Sequence, residues 1–349
     1  MDVGILGATG MVGQQFIAQL ADHPWFRPAW LAASERSEGR SYAEAAAWHL
    51  TEPPPASIAS MRVDACTPGR GPRLVFSGLD ATAAKEIEPA FARAGHLVIS
   101  NARNYRMDAS VPLLIPEINP DHLSLLPRQR REHGWPGAIV TNPNCSTVVL
   151  AMVLAPLRQY GLRAVNVTTL QAVSGAGYPG VASLDILGNV IPAISGEEEK
   201  MQSEPQKILG TLDQDGPSVS PHLVVISAHT TRVSVIDGHT EMVSIKLDDA
   251  PPLDEVRSAL AGWRGRPQEL QLPSAPPAPI VCMEEPNRPQ PRLDVGRDGG
   301  MAVSVGRIRP CPVLGLKLVA LGHNTIRGAA GAAVLNAELM IADGWIEGD

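Results

Sequence analysis

The sequence is poor in cysteine, has no excess of basic charge and contains no long apolar run, and each absence excludes a class of protein. Four cysteines (Cys66, Cys145, Cys282 and Cys311) are scattered over 349 residues without CxxC or other metal-ligand spacing, so neither a disulfide framework nor a metal site is expected. Reduced thiols in a cytoplasmic protein are the simpler reading. A formal charge of −7 argues against a nucleic-acid or anionic-membrane partner, since both need a basic surface. Any anionic substrate must then be caught by a few local cations in a pocket. No apolar stretch approaches the roughly 20 residues that span a bilayer. The opening MDVGILGATG lacks the basic start and long apolar stretch of a secretion signal, and no internal repeat is visible.

What is present suits a two-domain globular protein, with 44% apolar residues to fill its cores. The first half alternates short apolar strands with helices: strands are predicted at Val3–Leu6, Trp30–Ala33, Leu74–Ser77, Leu97–Ser100 and Ala138–Thr141, and helices at Met11–Leu20 and Ala81–Ala94. That alternation predicts a parallel, doubly wound α/β sheet. Thr51–Pro72, rich in Pro, Ser and Gly, reads as a surface excursion, and Arg128–Gly137 as a loop. After Cys145 longer strands are predicted at Ala164–Val173, Leu223–Val235, Thr240–Leu247, Met301–Arg309 and Val313–Leu321, the pattern of a second, α+β domain. Asp237-Gly238 reads as a turn pairing two of these antiparallel. Thr325–Asp343 is Ala-rich, reads as a helix and can pack back on the first domain.

Gly7, Gly10 and Gly13 follow the first strand in GxxGxxG spacing and lead into the first helix. Glycines there permit a tight turn and let a dinucleotide pyrophosphate approach the backbone and the positive helix end; tight strand–helix packing explains the same spacing without a ligand. Thr9, Met11 and Val12, between the glycines, belong to the same candidate loop. Ser34-Glu35-Arg36-Ser37 ends the second strand. There Arg36, flanked by the hydroxyls of Ser34 and Ser37, suits a 2′-phosphate and hence NADP, whereas Glu35 pulls toward NAD.

Cys145 stands in Asn142-Pro143-Asn144-Cys145-Ser146-Thr147, between the Ala138–Thr141 strand and an apolar helical run, Val148–Leu157. A thiol at a helix start has its thiolate favoured by the helix dipole, which predicts a lowered pKa and a nucleophile. Asn144 can donate a hydrogen bond where an oxyanion develops. By position alone Cys145 reads equally as one more buried thiol.

The segments NPNCSTVVLAMVLAPL, QAVSGAGYPG, ISGEEEKM, RVSVIDGHTE, RPQPRLD and HNTIRGAAGAAVLNAEL, in order and with family-like spacing, resemble signatures of aspartate-β-semialdehyde dehydrogenases of the archaeal and fungal branch. With GATGMVG at the start, the resemblance covers nearly the whole chain. It implies Cys145 as covalent nucleophile and His239, six residues beyond the one that follows Arg232, as its acid/base partner. Arg232 is implied as the grip on the substrate carboxylate, a task suited to a planar guanidinium.

In Glu197-Glu198-Glu199-Lys200, Ser195 and Glu198 have the spacing of a capping box, and a solvated charged face is the other plain reading. Glu197 and Lys200 share a helical face; the resemblance implies Glu197 as partner of the substrate ammonium and Lys200 as a phosphate ligand. It likewise implies Arg106 as the other phosphate arginine, with Arg103 nearby as a competitor, and Gln171 as a substrate-orienting residue. Ser174, Gly175, Gly177 and Asn324 are implied to approach the nicotinamide end of the cofactor.

The implied fold is an N-terminal Rossmann-like NADP-binding domain (1–144, completed by the C-terminal helix 323–349) and an α+β catalytic and dimerisation domain (145–322). The implied protein is a homodimer or homotetramer acting on a small-molecule substrate with phosphate. The implied activity is NADPH-dependent reductive dephosphorylation of L-4-aspartyl phosphate to L-aspartate 4-semialdehyde through a cysteine thioester. Thr230-Thr231 stands where this branch usually carries Cys-Asn, beside the carboxylate grip. That departure leaves two alternatives: a reductase of a related activated acid such as malonyl-CoA, and a non-catalytic NADP-binding homologue. Whether the product feeds lysine, threonine and methionine synthesis or a specialised pathway is left open.

Overall fold

A computed structural model describes residues 1–213 and 218–346; the end of the predicted C-terminal segment, 347–349, lies outside the described residues. Apolar runs too short for a buried helix become the strands of a first sheet: Asp2–Leu6 (β1), Arg27–Ala33 (β2), Val63–Ala65 (β3), Leu74–Ser77 (β4), Leu97–Ser100 (β5) and Ala138–Thr141 (β6). Neighbours pair in parallel in the order β3-β2-β1-β4-β5-β6. Every residue of β4, β5 and β6 is buried, because helices cover both faces. Strand order reverses between β1 and β4, and such a reversal opens a crevice at the strand ends.

Two glycines shape that crevice. Gly7 takes φ +73°, and a Cβ there would stand 3.0 Å from the backbone of Gly78, just past β4. A Cβ on Gly13 would come within 2.2 Å of the Gly7 carbonyl oxygen, so only glycine lets the Met11–Leu20 helix lie against the turn.

The second sheet is mixed. Its strands are Leu162–Gln171 (β7), Val225–Arg232 (β10), His239–Leu247 (β11), Ile280–Cys282 (β12), Val303–Cys311 (β13) and Gly315–Gly322 (β14), ordered β10-β7-β11-β14-β13-β12; Thr211–Leu212 (β8) and Val219–Ser220 (β9) pair separately. Against it lies the Cys145–Leu157 helix, apolar all round and buried from Ser146 to Leu157, which makes it the centre of the second core. The C-terminal helix Gly331–Ala342 packs with β1, β4 and β5 in the first core. Asn336 on it donates to the Asn142 carboxamide oxygen, fastening the chain end to the loop before Cys145. Among the described residues no helix is long and apolar enough to cross a membrane.

Three local readings are corrected. Arg128–Gly137 is not a loop: Leu126–His133 is a helix with Pro127 in its first turn, basic residues in its last and Gly134 left-handed at its end, so caps outweighed the charged composition. The Thr51–Pro72 excursion contributes an edge strand, β3. Asp237-Gly238 turns the chain, but β10 and β11 do not pair; β7 lies between them, parallel to β10 and antiparallel to β11. The C-terminal helix opens with a π-helical turn, Ile326–Ala330.

Candidate active site

The Cys145 helix starts where β6 ends, and Asn144 caps it, its side-chain oxygen accepting from the backbone N–H groups of Ser146 (3.1 Å) and Thr147 (3.3 Å). His239 is the first residue of β11 and comes from the far side of the second core, placing Nε2 3.2 Å from Cys145 Sγ. Its Nδ1 accepts from the Ala172 backbone N–H at 3.1 Å, so in the neutral ring the proton sits on Nε2, facing the sulfur. The ring is thereby set as a donor to a thiolate or an oxyanion; taking up a further proton requires Nδ1 to release Ala172.

Burial governs both titrations. The Cys145 thiol is pushed up to about 12 by desolvation, and the Glu197 carboxylate adds to the rise, against Arg106, a Ser146 backbone hydrogen bond and Arg232. His239 is driven down to about 3 by desolvation, helped by Arg232 and His323. The depressed thiol expected from the helix start is therefore corrected: the helix end does act on the sulfur, but removal from water is the larger effect. Iodoacetamide labelling should then climb steadily at Cys145 past pH 9 in the substrate-free protein. Peptide mapping should find Cys311 modified first, since the backbone N–H groups of Leu314 and Val313 hold its thiol below the ordinary range. A plateau at Cys145 below pH 8 would contradict the burial argument.

The register of the second sheet gathers the polar groups. Arg232 lies opposite Gln171, and Thr240 opposite Leu170, so the ends of β10, β7 and β11 bring Arg232, Gln171 and His239 side by side. Arg232 donates to the Ala172 carbonyl at 2.8 Å. A Cβ on Gly175 would stand 2.8 Å from Arg232 Nη1 and 3.0 Å from the His239 ring, so a glycine is needed for this approach.

On the Glu197–Ile208 helix, Glu197 Oε2 accepts from the Asn144 side-chain N–H (2.8 Å) and Gln171 (3.5 Å), and Oε1 from Lys200 Nζ (2.5 Å). Glu197 and Lys200 thus face each other rather than standing apart. The Ser195–Glu198 capping box does not form: left-handed Gly196 is the cap residue and Glu198 accepts from the Thr230 N–H. Thr230 is fully buried, its hydroxyl without a partner among the described residues, and Thr231 donates to the Thr169 carbonyl.

Of the two candidate arginines, Arg106 is buried and Arg103 exposed. Arg106 donates through Nη1 to Glu204 (3.0 Å) and through Nη2 to the Asn101 carbonyl (2.8 Å), while its Nε is buried with no partner among the described residues. An orphaned guanidinium N–H beside the nucleophile fits an anionic group of the substrate. Glu204 and Lys207 are site residues the sequence reading missed. Their spacing from Glu197 and Lys200 continues one helical face, a signal indistinguishable in sequence from a solvated stripe.

Cys145, Asn144 and Arg106 line a cavity of about 360 Å³ together with Met11, Val12, Ser174, Gly175, Gly177 and Asn324. Asn324 holds this junction by accepting from the Gly238 N–H and donating to the Ser174 hydroxyl, both at 2.8 Å. A neighbouring groove of about 800 Å³ is lined by Gly7, Thr9, Gly10, Ser34, Glu35 and Arg36, with Cys66, Thr67 and Tyr178 not foreseen. Gly13 serves helix packing instead, and Ser37 is buried outside this lining. The groove runs along the strand ends at the sheet reversal, with a helix start and open glycine backbone beside it, and so fits a dinucleotide.

Comparison with known proteins agrees with this geometry. Residues 2–126 match the family model described as semialdehyde dehydrogenase, NAD binding domain, and residues 154–327 match semialdehyde dehydrogenase, dimerisation domain. The aspartate-semialdehyde dehydrogenase of Archaeoglobus fulgidus is 49% identical over 98% of both chains. A crystal structure of aspartate semialdehyde dehydrogenase with NADP from Candida albicans is 43% identical, covers 99% of both chains and superposes with a TM-score of 0.92. A Vibrio cholerae aspartate semialdehyde dehydrogenase II complexed with ASA is 26% identical over 98% of both chains, with a TM-score of 0.77.

Proposed function

This chain belongs to the aspartate-semialdehyde dehydrogenase family, and on that premise we propose how its residues carry out NADPH-dependent reductive dephosphorylation of L-4-aspartyl phosphate to L-aspartate 4-semialdehyde, reversibly, through a thioester on Cys145. The observation that carries the mechanism is the 3.2 Å approach of His239 Nε2 to the sulfur at the start of a buried helix, with guanidinium groups from Arg106 and Arg232 acting on that sulfur.

The Cys145 sulfur, facing the His239 Nε2–H and the Arg106 and Arg232 charges, attacks the acyl carbon, and its thiol proton passes to the departing phosphate oxygen. Phosphate leaves with the bonding electrons, its charge met by Arg106 through the orphaned Nε–H and by Lys200. The groove lined by Gly7, Gly10, Ser34 and Arg36 would hold NADPH, which would supply the hydride for reduction of the thioester. Asn144 and the His239 Nε2–H stabilise the oxyanion that results, and its collapse frees the aldehyde and the sulfur, which takes up a proton from water to restore the thiol. Arg232 grips the substrate carboxylate and Gln171 orients it. Glu197 meets the substrate ammonium, so Lys200 exchanges its carboxylate partner for phosphate when both groups bind. Glu197 is also what argues against malonyl-CoA, which has no amino group.

In the groove, Ser34 and Arg36 hold the 2′-phosphate. Arg36→Leu is expected to raise the KM for NADP⁺ about 10- to 100-fold, the worth of a charge-assisted pair, while leaving that for NAD⁺ unchanged. A parallel loss with both cofactors would remove Arg36 from this role. Residues 1–144 with 323–349 form the cofactor domain in this reading, and 145–322 the catalytic and dimerisation domain. Exposed Val225 and Met242, on the open side of the second sheet, support a homodimer, with a homotetramer as the larger alternative that light scattering separates. Four unpaired cysteines support a cytoplasmic setting.

The test is NADP⁺ reduction by purified protein given L-aspartate 4-semialdehyde, with and without phosphate. Phosphate-dependent activity is expected. Silence here together with NADPH oxidation by malonyl-CoA would overturn the substrate assignment.

A further inference from the structure

The helix that carries Glu197 and Lys200 continues along the same face with Glu204 and Lys207, and both are buried. Glu204 bonds to two residues proposed to meet the substrate, and Lys207 to the backbone that carries one of them. Glu204 Oε1 accepts from Arg106 Nη1 at 3.0 Å, and Oε2 accepts from the Asn144 backbone N–H at 2.7 Å. Lys207 Nζ donates to the carbonyls of Arg106 (2.8 Å), Asp108 (2.6 Å) and Val111 (2.7 Å), fixing the backbone of the loop on which Arg106 stands.

We propose that Glu204 is a positioning residue that locks the leaving-group arginine, Arg106, to the cap residue of the nucleophile helix, Asn144, so that phosphate binding and attack by the sulfur keep one geometry. The argument is one of constraint. Arg106 follows β5 and Cys145 follows β6, neighbouring strands of the first sheet, so the backbone brings the two loops together but leaves the long Arg106 side chain to be fixed by its partners. One carboxylate bonded to both Arg106 and Asn144 does so, and Lys207 removes the remaining freedom of the Arg106 loop. The carboxylate occupies Nη1 and the Asn101 carbonyl Nη2, so the guanidinium is held from two sides where it lines the cavity beside Cys145, with Nε left without a partner among the described residues. A shift of the order of 1 Å between reacting groups costs about 100-fold in rate, so a rigid tie here bears directly on turnover.

This inference rests on the phosphate role proposed for Arg106. Glu204→Gln preserves shape but turns one acceptor into an N–H donor, which must then face either the Arg106 Nη1–H or the Asn144 N–H. In the NADP⁺-saturated dimer the variant is expected to raise the KM for phosphate about tenfold and to lower kcat between about 10- and 100-fold, with NADP⁺ affinity unchanged. A residue of merely structural importance would not separate these constants. If Glu204 acts through Arg106, the effect on phosphate KM disappears when Glu204→Gln is added to Arg106→Ala. Constants within twofold of the parent, or an effect of undiminished size in the Arg106→Ala background, overturn the proposal. A parent protein that shows no phosphate dependence would refute the reading of Arg106 itself. The tie to Asn144 is then read from the iodoacetamide rate at Cys145, which Glu204→Gln must change and which, if unmoved, overturns the proposal on its own.

Discussion

Replacing Cys145 by alanine is expected to lower phosphate-dependent NADP⁺ reduction by at least about 10⁴-fold, because no other group reaches the acyl carbon to form the covalent intermediate. The loss should be chemical and not structural. The cap of the helix is made by Asn144 to Ser146 and Thr147, none of which involves the thiol, and alanine is the best helix former at the vacated position. What disappears is the sulfur facing His239, while the Cβ and backbone of residue 145 that lie against Gly328 are retained in alanine. Fluorescence titration should show NADP⁺ binding at parental strength. Residual turnover above 1% of the parent's would show that Cys145 is not the nucleophile, whatever the position of the histidine.

Removing Arg327 should have the largest effect on stability. Its side chain is fully buried and donates to both oxygens of Glu117 at 2.8 Å, with Met152 Sδ 3.1 Å away, and Glu117 is buried too. Arg327→Met leaves a buried carboxylate without its cation. The expected cost is about 3–5 kcal/mol, seen as a lower urea midpoint. Much of that cost is the stranded charge and not the lost attraction, so adding Glu117→Leu to Arg327→Met should recover most of it. A single variant within about 1 kcal/mol of the parent, or a double variant no better than the single, would mean that water reaches Glu117 and that this pair is not what ties residue 327 to the core. Gly328 touches Cys145, so activity should fall with stability in the single variant and return in the double.

Elements whose cause is local were legible in the chain itself. β4, β5 and β6 have the predicted bounds, because four apolar residues between turn or helix signals leave one solution in a parallel sheet. The Met11–Leu20 helix and the glycines before it were read for the same reason, as was the apolar helix behind Cys145, whose asparagine cap was not foreseen. The Arg128–Gly137 reading failed where composition competed with capping, and Arg128-Gln129-Arg130-Arg131 was mistaken for a loop because charge was weighed ahead of Pro127 and Gly134.

What sequence by itself determined was therefore the two-domain α/β plan, the glycine turn after β1 and, through the family resemblance, the candidates for contact with substrate. Tertiary structure alone decided that β7 separates β10 from β11, that Glu204 joins Arg106 to Asn144, that Arg327 finds Glu117, and that burial raises the Cys145 thiol and lowers His239. The physical reason is common to these cases. Strand order, the partner of a buried charge and the loss of water around a thiol depend on groups far apart in the chain, and a stripe of Glu and Lys on a helix looks the same whether solvent or another domain lies against it.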